Sequence, residues 1–220
     1  MRLSIPDLPN PESIKNLVFD FGGVICDLDM KRTDAKFKEF GMRTFVPSNS
    51  ISSSDDLLRK YERGDMTSQE FRNILKKQFI APVNDEQIDQ AWNAMLLPIP
   101  LARIRLLEKL VRDFRVFILS NSNEIHYRQY LHDFQKQSGY PDFNSWIEKA
   151  YFSFQIHLQK PGKAVFEYVL RQSRLNARET LFIDDSIENI EGAIGCGMVV
   201  HHLKIHDGED ILDLFSDSLT

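Results

Sequence analysis

Short apolar runs that each stop at a polar residue recur along the chain. Their members are mostly branched or aromatic, and glycine, serine or aspartate follows most of them at once. Such runs are typical of strands buried on both faces of a parallel sheet, because a helix buries one face and seldom begins beside glycine. The pattern predicts strands at 16–19, 115–120, 150–154, 180–183 and 198–201.

Between Met30 and Leu97 the apolar positions instead repeat with helical spacing. Thr67 and Asn84 each precede a Glu or Gln by three residues, which is the capping-box spacing of a helix start. Apolar stripes follow both residues at intervals of three and four, and two weaker stripes precede them. The pattern predicts a small bundle of four helices. Two of them begin after Thr67 and Asn84, and two weaker ones span about 31–40 and 55–62.

Two local patterns lead to further expectations. Val24–Asp29 alternates apolar and acidic residues, which is typical of a short half-exposed hairpin with Asp27 and Asp29 facing solvent. In the second half of the chain, a helix is expected at about 124–137, and Pro161 is expected in the first turn of the next helix.

The spacing of the strand ends decides the predicted architecture. Asp20 and Ser120 are 100 residues apart, whereas 40 residues separate Ser120 from Lys160 and 24 separate Lys160 from Asp184. A strand with its helix fills the shorter intervals, but the longest leaves about sixty residues over. The sequence therefore predicts an α/β fold, a doubly wound, Rossmann-like parallel sheet with a small α-helical cap inserted after the first strand. The predicted units are an N-terminal arm at 1–14, the core at 15–29 and 98–220, and the cap at 30–97.

Composition narrows the function. The net charge is −5, and Lys and Arg are scattered among Asp and Glu, which argues against a nucleic-acid surface. The amino-terminal residues contain no continuous apolar segment, so neither a secretory signal nor a membrane partner is expected. Cys26 and Cys196 lie in different parts of the chain, which indicates free thiols in a reducing, cytoplasmic compartment.

The polar residues at the predicted strand ends suggest one chemistry. Asp20, Ser120, Lys160 and the pair Asp184 and Asp185 are all delivered to the carboxyl edge of a single sheet, where ligands bind in such folds. A serine and a lysine suit an oxyanion, and clustered carboxylates suit Mg²⁺ together with substrate phosphate oxygens. The set predicts phosphoryl transfer from a small-molecule phosphate ester.

The expected roles follow from these residue types. Asp20 can attack phosphorus as a carboxylate nucleophile, giving an aspartyl-phosphate that water hydrolyses. Mg²⁺ is expected on Asp20, on a backbone carbonyl near Gly22 and on Asp185, while Asp184 orients Lys160 or a metal-bound water.

Phosphate binding is assigned to the side of the site opposite the expected Mg²⁺. Lys160 supplies a fixed positive charge there. Ser120 and the N–H groups of Asn121, Phe21 and Gly22 are expected to hold the phosphoryl oxygens, since glycine lets the backbone approach closely.

Four stretches resemble, in order and spacing, the motifs of the haloacid dehalogenase-like hydrolases: Val18–Val24, Leu119–Asn123, Lys160–Pro161 and Phe182–Asn189. The resemblance implies Mg²⁺, an aspartyl-phosphate intermediate and a cap that closes over substrate. Within that superfamily the chain is most similar to the sugar-phosphate phosphatases acting on α-glucose 1-phosphate, a branch related to the amino-terminal phosphatase domain of epoxide hydrolases. Tyr61–Asp65 is similar to a cap segment of that branch.

One departure from the family pattern leaves alternatives open. Most phosphatases of the superfamily carry a second Asp two residues after the nucleophile as general acid and base, and here that position is Gly22. A metal-independent haloacid dehalogenase also lacks this Asp, although such relatives lack the acidic pair kept here as Asp184 and Asp185. A catalytically silent phosphate-binding module is the third alternative.

Overall fold

The computed structural model describes Leu8 and residues 11–42 and 54–215. Within these residues five strands form one sheet in which every neighbouring pair is parallel. The strands are β1 Asn16–Phe19, β2 Arg115–Ser120, β3 Lys149–Phe152, β4 Thr180–Asp184 and β5 Val199–His202. Their order across the sheet is β3-β2-β1-β4-β5, as a doubly wound α/β fold requires.

Helices fill the connections, and ten α-helices fall within the described residues. The first five all lie between β1 and β2 in the chain. The helices are α1 Met30–Glu39, α2 Ser54–Glu62, α3 Ser68–Lys76, α4 Asp85–Asn93, α5 Leu101–Leu110, α6 Glu124–Ser138, α7 Ser153–Ile156, α8 Lys163–Gln172, α9 Ile187–Ile194 and α10 Ile211–Leu214.

The central strand β1 is buried along its whole length and divides the core into two layers. Leu17 and Phe19 pack into a cluster that includes side chains of α5, α6 and α10. Val18 points the other way, into a cluster that includes side chains of α8 and α9. Because both faces are covered, Leu17–Phe19 of β1 is an unbroken apolar run, and the chain leaves the sheet at Asp20.

The helices α1 to α4 share a third apolar cluster. Tyr61 stacks on Phe71 with ring centroids 4.1 Å apart, and Phe71 lies against Trp92 at 5.1 Å. Both predicted capping boxes are present, at Thr67 before α3 and at Asn84 before α4. Ile125 of α6 joins the same cluster, so the helical segment packs at the edge of the sheet where β2 ends.

The predicted hairpin at 24–29 is wrong. Ile25 and Cys26 both donate their amide N–H to the carbonyl of Phe21, and Gly23 donates to Cys26, so the chain turns tightly and forms no hairpin strands. The side chains of residues 24–26 are all fully buried, and the alternation that suggested a half-exposed pair does not carry over to the fold.

Two element boundaries also differ from the prediction. Pro161 precedes α8, whose N-cap is Gly162, because the amide of Asn121 binds the main chain of Lys160 and holds this loop apart from the helix. The third strand ends at Phe152, and Ser153 begins α7 instead. Most of the arm predicted at 1–14 lies outside the described residues, although a 3₁₀ turn spans Pro11–Ser13. No helix in the described ranges has the length and apolarity to cross a membrane.

A buried histidine ties the helical segment to the sheet. The imidazole of His126 stacks on Trp92 at 4.8 Å, donates from Nε2 to the Trp92 carbonyl (3.1 Å) and accepts at Nδ1 from the amide of Asn123 (3.1 Å). These partners assign the neutral tautomer with its proton on Nε2. Burial lowers the pKa of His126 to about 4, because the charged imidazolium is poorly solvated there.

This histidine predicts a loss of stability in acid. Its contribution is fully present above the unfolded pKa near 6.5 and is lost as pH falls through the folded value of about 4. Relative to His126→Gln, the wild type should lose on the order of 2 kcal/mol of unfolding free energy by about pH 5. Urea unfolding of both proteins at neutral and acid pH measures this, since other titrating groups cancel in the difference. An equal loss in the two proteins contradicts the assignment.

Candidate active site

The candidate site lies at the carboxyl ends of the central strands. Asp20 follows β1, Ser120 ends the neighbouring β2, and Asp184 ends β4 on the other side. The loop before α8 brings Lys160 between them. The structure thus brings together side chains from four separate stretches of the chain at the point where the strand order reverses.

Lys160 is the centre of the site. Its Nζ lies 2.7 Å from Oδ1 of Asp20 and 2.6 Å from Oδ2 of Asp184, and its side chain is only 1% exposed. Burial works against the charged ammonium, but the two carboxylates outweigh it and raise the pKa of Lys160 above its usual value. The side chain is therefore a fixed positive charge.

Asp184 holds that charge in position. One carboxylate oxygen accepts from Lys160, the other accepts from the Ser186 amide (2.8 Å), and the Asn189 side chain donates to both (3.0 and 3.1 Å). The residue is fully buried. This contact with Lys160 is consistent with one of the two roles expected for Asp184.

Asn121 has a function that the sequence did not indicate. Its side-chain oxygen accepts from the amide of Lys160 and its side-chain nitrogen donates to the Lys160 carbonyl, both at 2.9 Å. This pair of bonds fixes the backbone of the lysine, while Asp184 fixes its ammonium group. The only signal in the sequence is an asparagine directly after a strand-end serine, which also suits a turn or a cap.

Asp20 sits in an environment that works against its charged form. Burial is the largest cause, and the nearby Asp184 and Asp185 add to it; Lys160 acts in the opposite direction. The result is a pKa raised to about 7. Additional positive charge beside Asp20 would therefore lower its pKa and favour the charged carboxylate.

The residues present fit a divalent cation. Carboxylate oxygens of Asp20, Asp184 and Asp185 lie within 4.8 Å of one another, and oxygen ligands of this kind suit Mg²⁺. Gly23, at φ +85°, leaves room for this arrangement, since a Cβ on it would lie 2.5 Å from Oδ2 of Asp185. Burial and Asp184 raise the pKa of Asp185, as expected where acidic groups crowd together.

Unused hydrogen-bond donors surround the same space. Within the described part of the chain, the amide N–H groups of Phe21, Gly22 and Asn121 have no acceptor. Ser120 is buried, and its hydroxyl makes one long contact of 3.5 Å, to the Asn121 carbonyl. These donors can bind the oxygens of a tetrahedral anion.

A sequence profile of the haloacid dehalogenase-like hydrolases matches residues 14–197. The chain belongs to this family of hydrolases, as the resemblance of its four motifs implied. The five-stranded parallel sheet flanked by helices is the fold of this family, so the predicted fold class is confirmed.

Individual relatives are similar along most of their length. D-ribitol-5-phosphate phosphatase from Bacteroides thetaiotaomicron is 29% identical over 177 residues, which are 80% of this chain and 85% of the relative. A crystal structure of a HAD family enzyme from the same organism is 33% identical with a TM-score of 0.85, covering 92% of this chain and 98% of the other. An Asp-to-Ala variant of that enzyme in complex with magnesium and inorganic phosphate is 32% identical, with a TM-score of 0.83 over the same shares.

Proposed function

We propose that this chain is a Mg²⁺-dependent phosphatase of small phosphorylated metabolites, with sugar and polyol monophosphates as the substrate class. The observation that carries the proposal is the buried ammonium of Lys160, held between Asp20 and Asp184 beside unused amide donors. The named activity of the ribitol-phosphate relative and the magnesium-phosphate complex of the structural relative support it.

Asp20 acts as the nucleophile in this proposal. Its carboxylate oxygen forms a bond to phosphorus while the bond from phosphorus to the leaving oxygen breaks, and water then hydrolyses the aspartyl-phosphate. Lys160 and Ser120 bind the phosphoryl oxygens, and the free amides of Phe21, Gly22 and Asn121 complete the cradle.

Asp20, Asp185 and the backbone carbonyl of Gly22 would hold Mg²⁺, with Asp184 beside them. When bound, the cation offsets the repulsion between the anionic nucleophile and the phosphate. The helical segment 30–97 is proposed as a cap that excludes water while substrate is bound.

A panel of phosphate esters tests the proposal. Purified protein should hydrolyse some sugar monophosphates in Mg²⁺ and lose that activity in chelator. Consumption of a haloacid in chelator, with no phosphate release in Mg²⁺, would favour the dehalogenase instead. No turnover of either class would favour the silent phosphate-binding module.

Gly23 gives a second test, directed at the metal. In Gly23→Ala the new Cβ would lie 2.5 Å from Asp185 and displace its carboxylate, so the Mg²⁺ concentration for half-maximal activity should rise about 10–100-fold. Gly41→Ala is the matched control: φ is +88°, and nothing lies within 4 Å of its Cβ. Both variants bear the same backbone strain, on the order of 1–2 kcal/mol. An unchanged Mg²⁺ requirement in Gly23→Ala, or an equal rise in both, contradicts the role given to Asp185.

A further inference from the structure

Position 22 has no acid, because glycine stands where most phosphatases of the superfamily carry their second aspartate. A Cβ on Gly22 would lie 2.9 Å from Cδ1 of Leu28, so an apolar side chain occupies this direction. The two acids that follow in the same loop are engaged elsewhere, because Asp27 pairs with Arg103 (2.6 Å) and Asp29 caps α1 through the Lys31 amide. A phosphatase with this site still needs a proton donor for the leaving group.

The end of α2 approaches the site from the side of the helical segment. The hydroxyl of Ser153 donates to the carbonyl of Glu62 (2.5 Å) and accepts from the amide of Ser122 (2.9 Å). Ser122 is two residues beyond Ser120, in the loop that carries the free amide of Asn121. The Ser153 hydroxyl therefore joins the main chain of Glu62 to the proposed phosphate-binding loop.

The turn after Glu62 is fitted closely onto the core. At Gly64, with φ +75°, a Cβ would lie 2.3 Å from the carbonyl oxygen of Phe154. On the other side, the hydroxyl of Tyr61 accepts from the amide of Ile125 (3.3 Å). The segment is thus held between the first turns of α6 and α7, which both begin at the carboxyl edge of the sheet.

Glu62 is a half-buried residue whose carboxyl group is unpaired within the described part of the chain. Its oxygens make no hydrogen bond or ion pair with any residue that the structure describes, whereas the nearby Glu124 binds Ser68 and Arg128. The charges that act on it are those of Arg59 and of Lys160, the central cation of the site. Burial outweighs both and raises the pKa of Glu62 to about 7, where a side chain can both donate and accept a proton at neutral pH.

We propose that Glu62 is the general acid and base that position 22 does not supply, and this inference rests on the phosphatase function proposed above. In the first step the proton of the Glu62 carboxyl passes to the leaving oxygen as its bond to phosphorus breaks and the bond from Asp20 forms. In the second step the Glu62 carboxylate takes a proton from water, whose oxygen attacks phosphorus and releases Asp20. Each cycle returns both side chains to their starting state.

Tyr130 is the alternative group closest to the missing acid. Its hydroxyl is 4.0 Å from the position of a Cβ on Gly22. Burial raises its pKa well above the usual value, so it would hold its proton and could not serve as the base. Glu62 is the group whose environment suits both steps.

Burst kinetics of Glu62→Gln with an aryl phosphate test the proposal. A phenolate leaves without protonation, so the first step should keep its rate within a few-fold and release one equivalent of phenol per site. The second step lacks its base and should slow by on the order of 10²-fold or more, so that phosphorylated Asp20 accumulates and is visible by intact mass. With a sugar phosphate both steps need Glu62, and turnover should fall similarly without a burst.

The outcomes are distinguishable. Glu86→Gln, an exposed glutamate at the start of α4, is the control and should match the wild type. If Glu62→Gln slows the burst and the steady state equally and no phosphoenzyme accumulates, the role of Glu62 is structural and the proposal is wrong. Full activity of Glu62→Gln would also overturn the proposal. Formate should partly restore the second step in Glu62→Ala, which loss of packing would not allow. An inactive wild type would refute the phosphatase function itself.

Discussion

Asp20→Asn is expected to lower phosphate-ester hydrolysis by at least about 10⁴-fold, as removal of a covalent nucleophile does in other hydrolases. An amide oxygen is a poor nucleophile, and the phosphoenzyme cannot form. The substitution preserves shape and removes a charge that burial disfavours, so the protein should stay folded. Turnover in Mg²⁺ and the urea midpoint, measured on the same preparation, check both expectations.

Asp27→Asn is the matched control for this variant. Asp27 lies in the same loop, but its carboxylate pairs with Arg103, which is buried and also pairs with Asp210. The control should lose stability, because one carboxylate beside Arg103 becomes neutral, and it should keep activity within a few-fold. An Asp20→Asn enzyme with activity comparable to this control would exclude Asp20 as the nucleophile.

The gathering of side chains at the sheet edge was predictable from the sequence. Each strand was an apolar run with a polar end, and parallel strands place such ends on one edge whatever lies between them. That argument needs only the strand positions, and the boundaries of β1 and β2 agree with the prediction. The 100-residue interval between Asp20 and Ser120 likewise required an extra unit, and α1 to α4 lie there.

Contacts between loops could not be predicted in the same way. The clamp of Asn121 on the Lys160 backbone and the displacement of Pro161 from α8 both depend on how two distant loops meet. The position of Glu62 depends on the docking of α2 against Ser153, which no periodicity encodes. Sequence patterns fix what each element buries, whereas these contacts arise only when the elements are packed together.

Lys160→Met is expected to lower turnover by about 10³–10⁵-fold, the range found when a cation that stabilises a transferring phosphoryl group is removed. Methionine keeps most of the volume of the lysine stem and removes the charge. Lys163→Met is the matched control, since Lys163 lies only three residues after Lys160 but is exposed and pairs with Glu167 on the surface of α8. The control should retain activity and stability, and phosphate release in Mg²⁺ compares the two.

Lys160→Met should also reveal the repulsion between the carboxylates of Asp20 and Asp184, which the Lys160 ammonium balances in the wild type. Without the ammonium these buried carboxylates lose their shared partner, which costs on the order of 3–5 kcal/mol of stability when the charge is left unpaired. Lys160 lowers the pKa of Asp20, so its removal should raise that pKa further above 7. An acid with a raised folded pKa contributes stability below its unfolded pKa near 4 and loses it as pH rises through the folded value.

The deficit of Lys160→Met in unfolding free energy should therefore be small near pH 5 and grow towards pH 8, and Mg²⁺ should reduce it. Urea titrations in chelator and in Mg²⁺ at both pH values measure this deficit against wild type. A deficit independent of pH and of Mg²⁺ would mean that lost packing, rather than unbalanced charge, explains the variant. In that case the low turnover could not be attributed to the charge of Lys160.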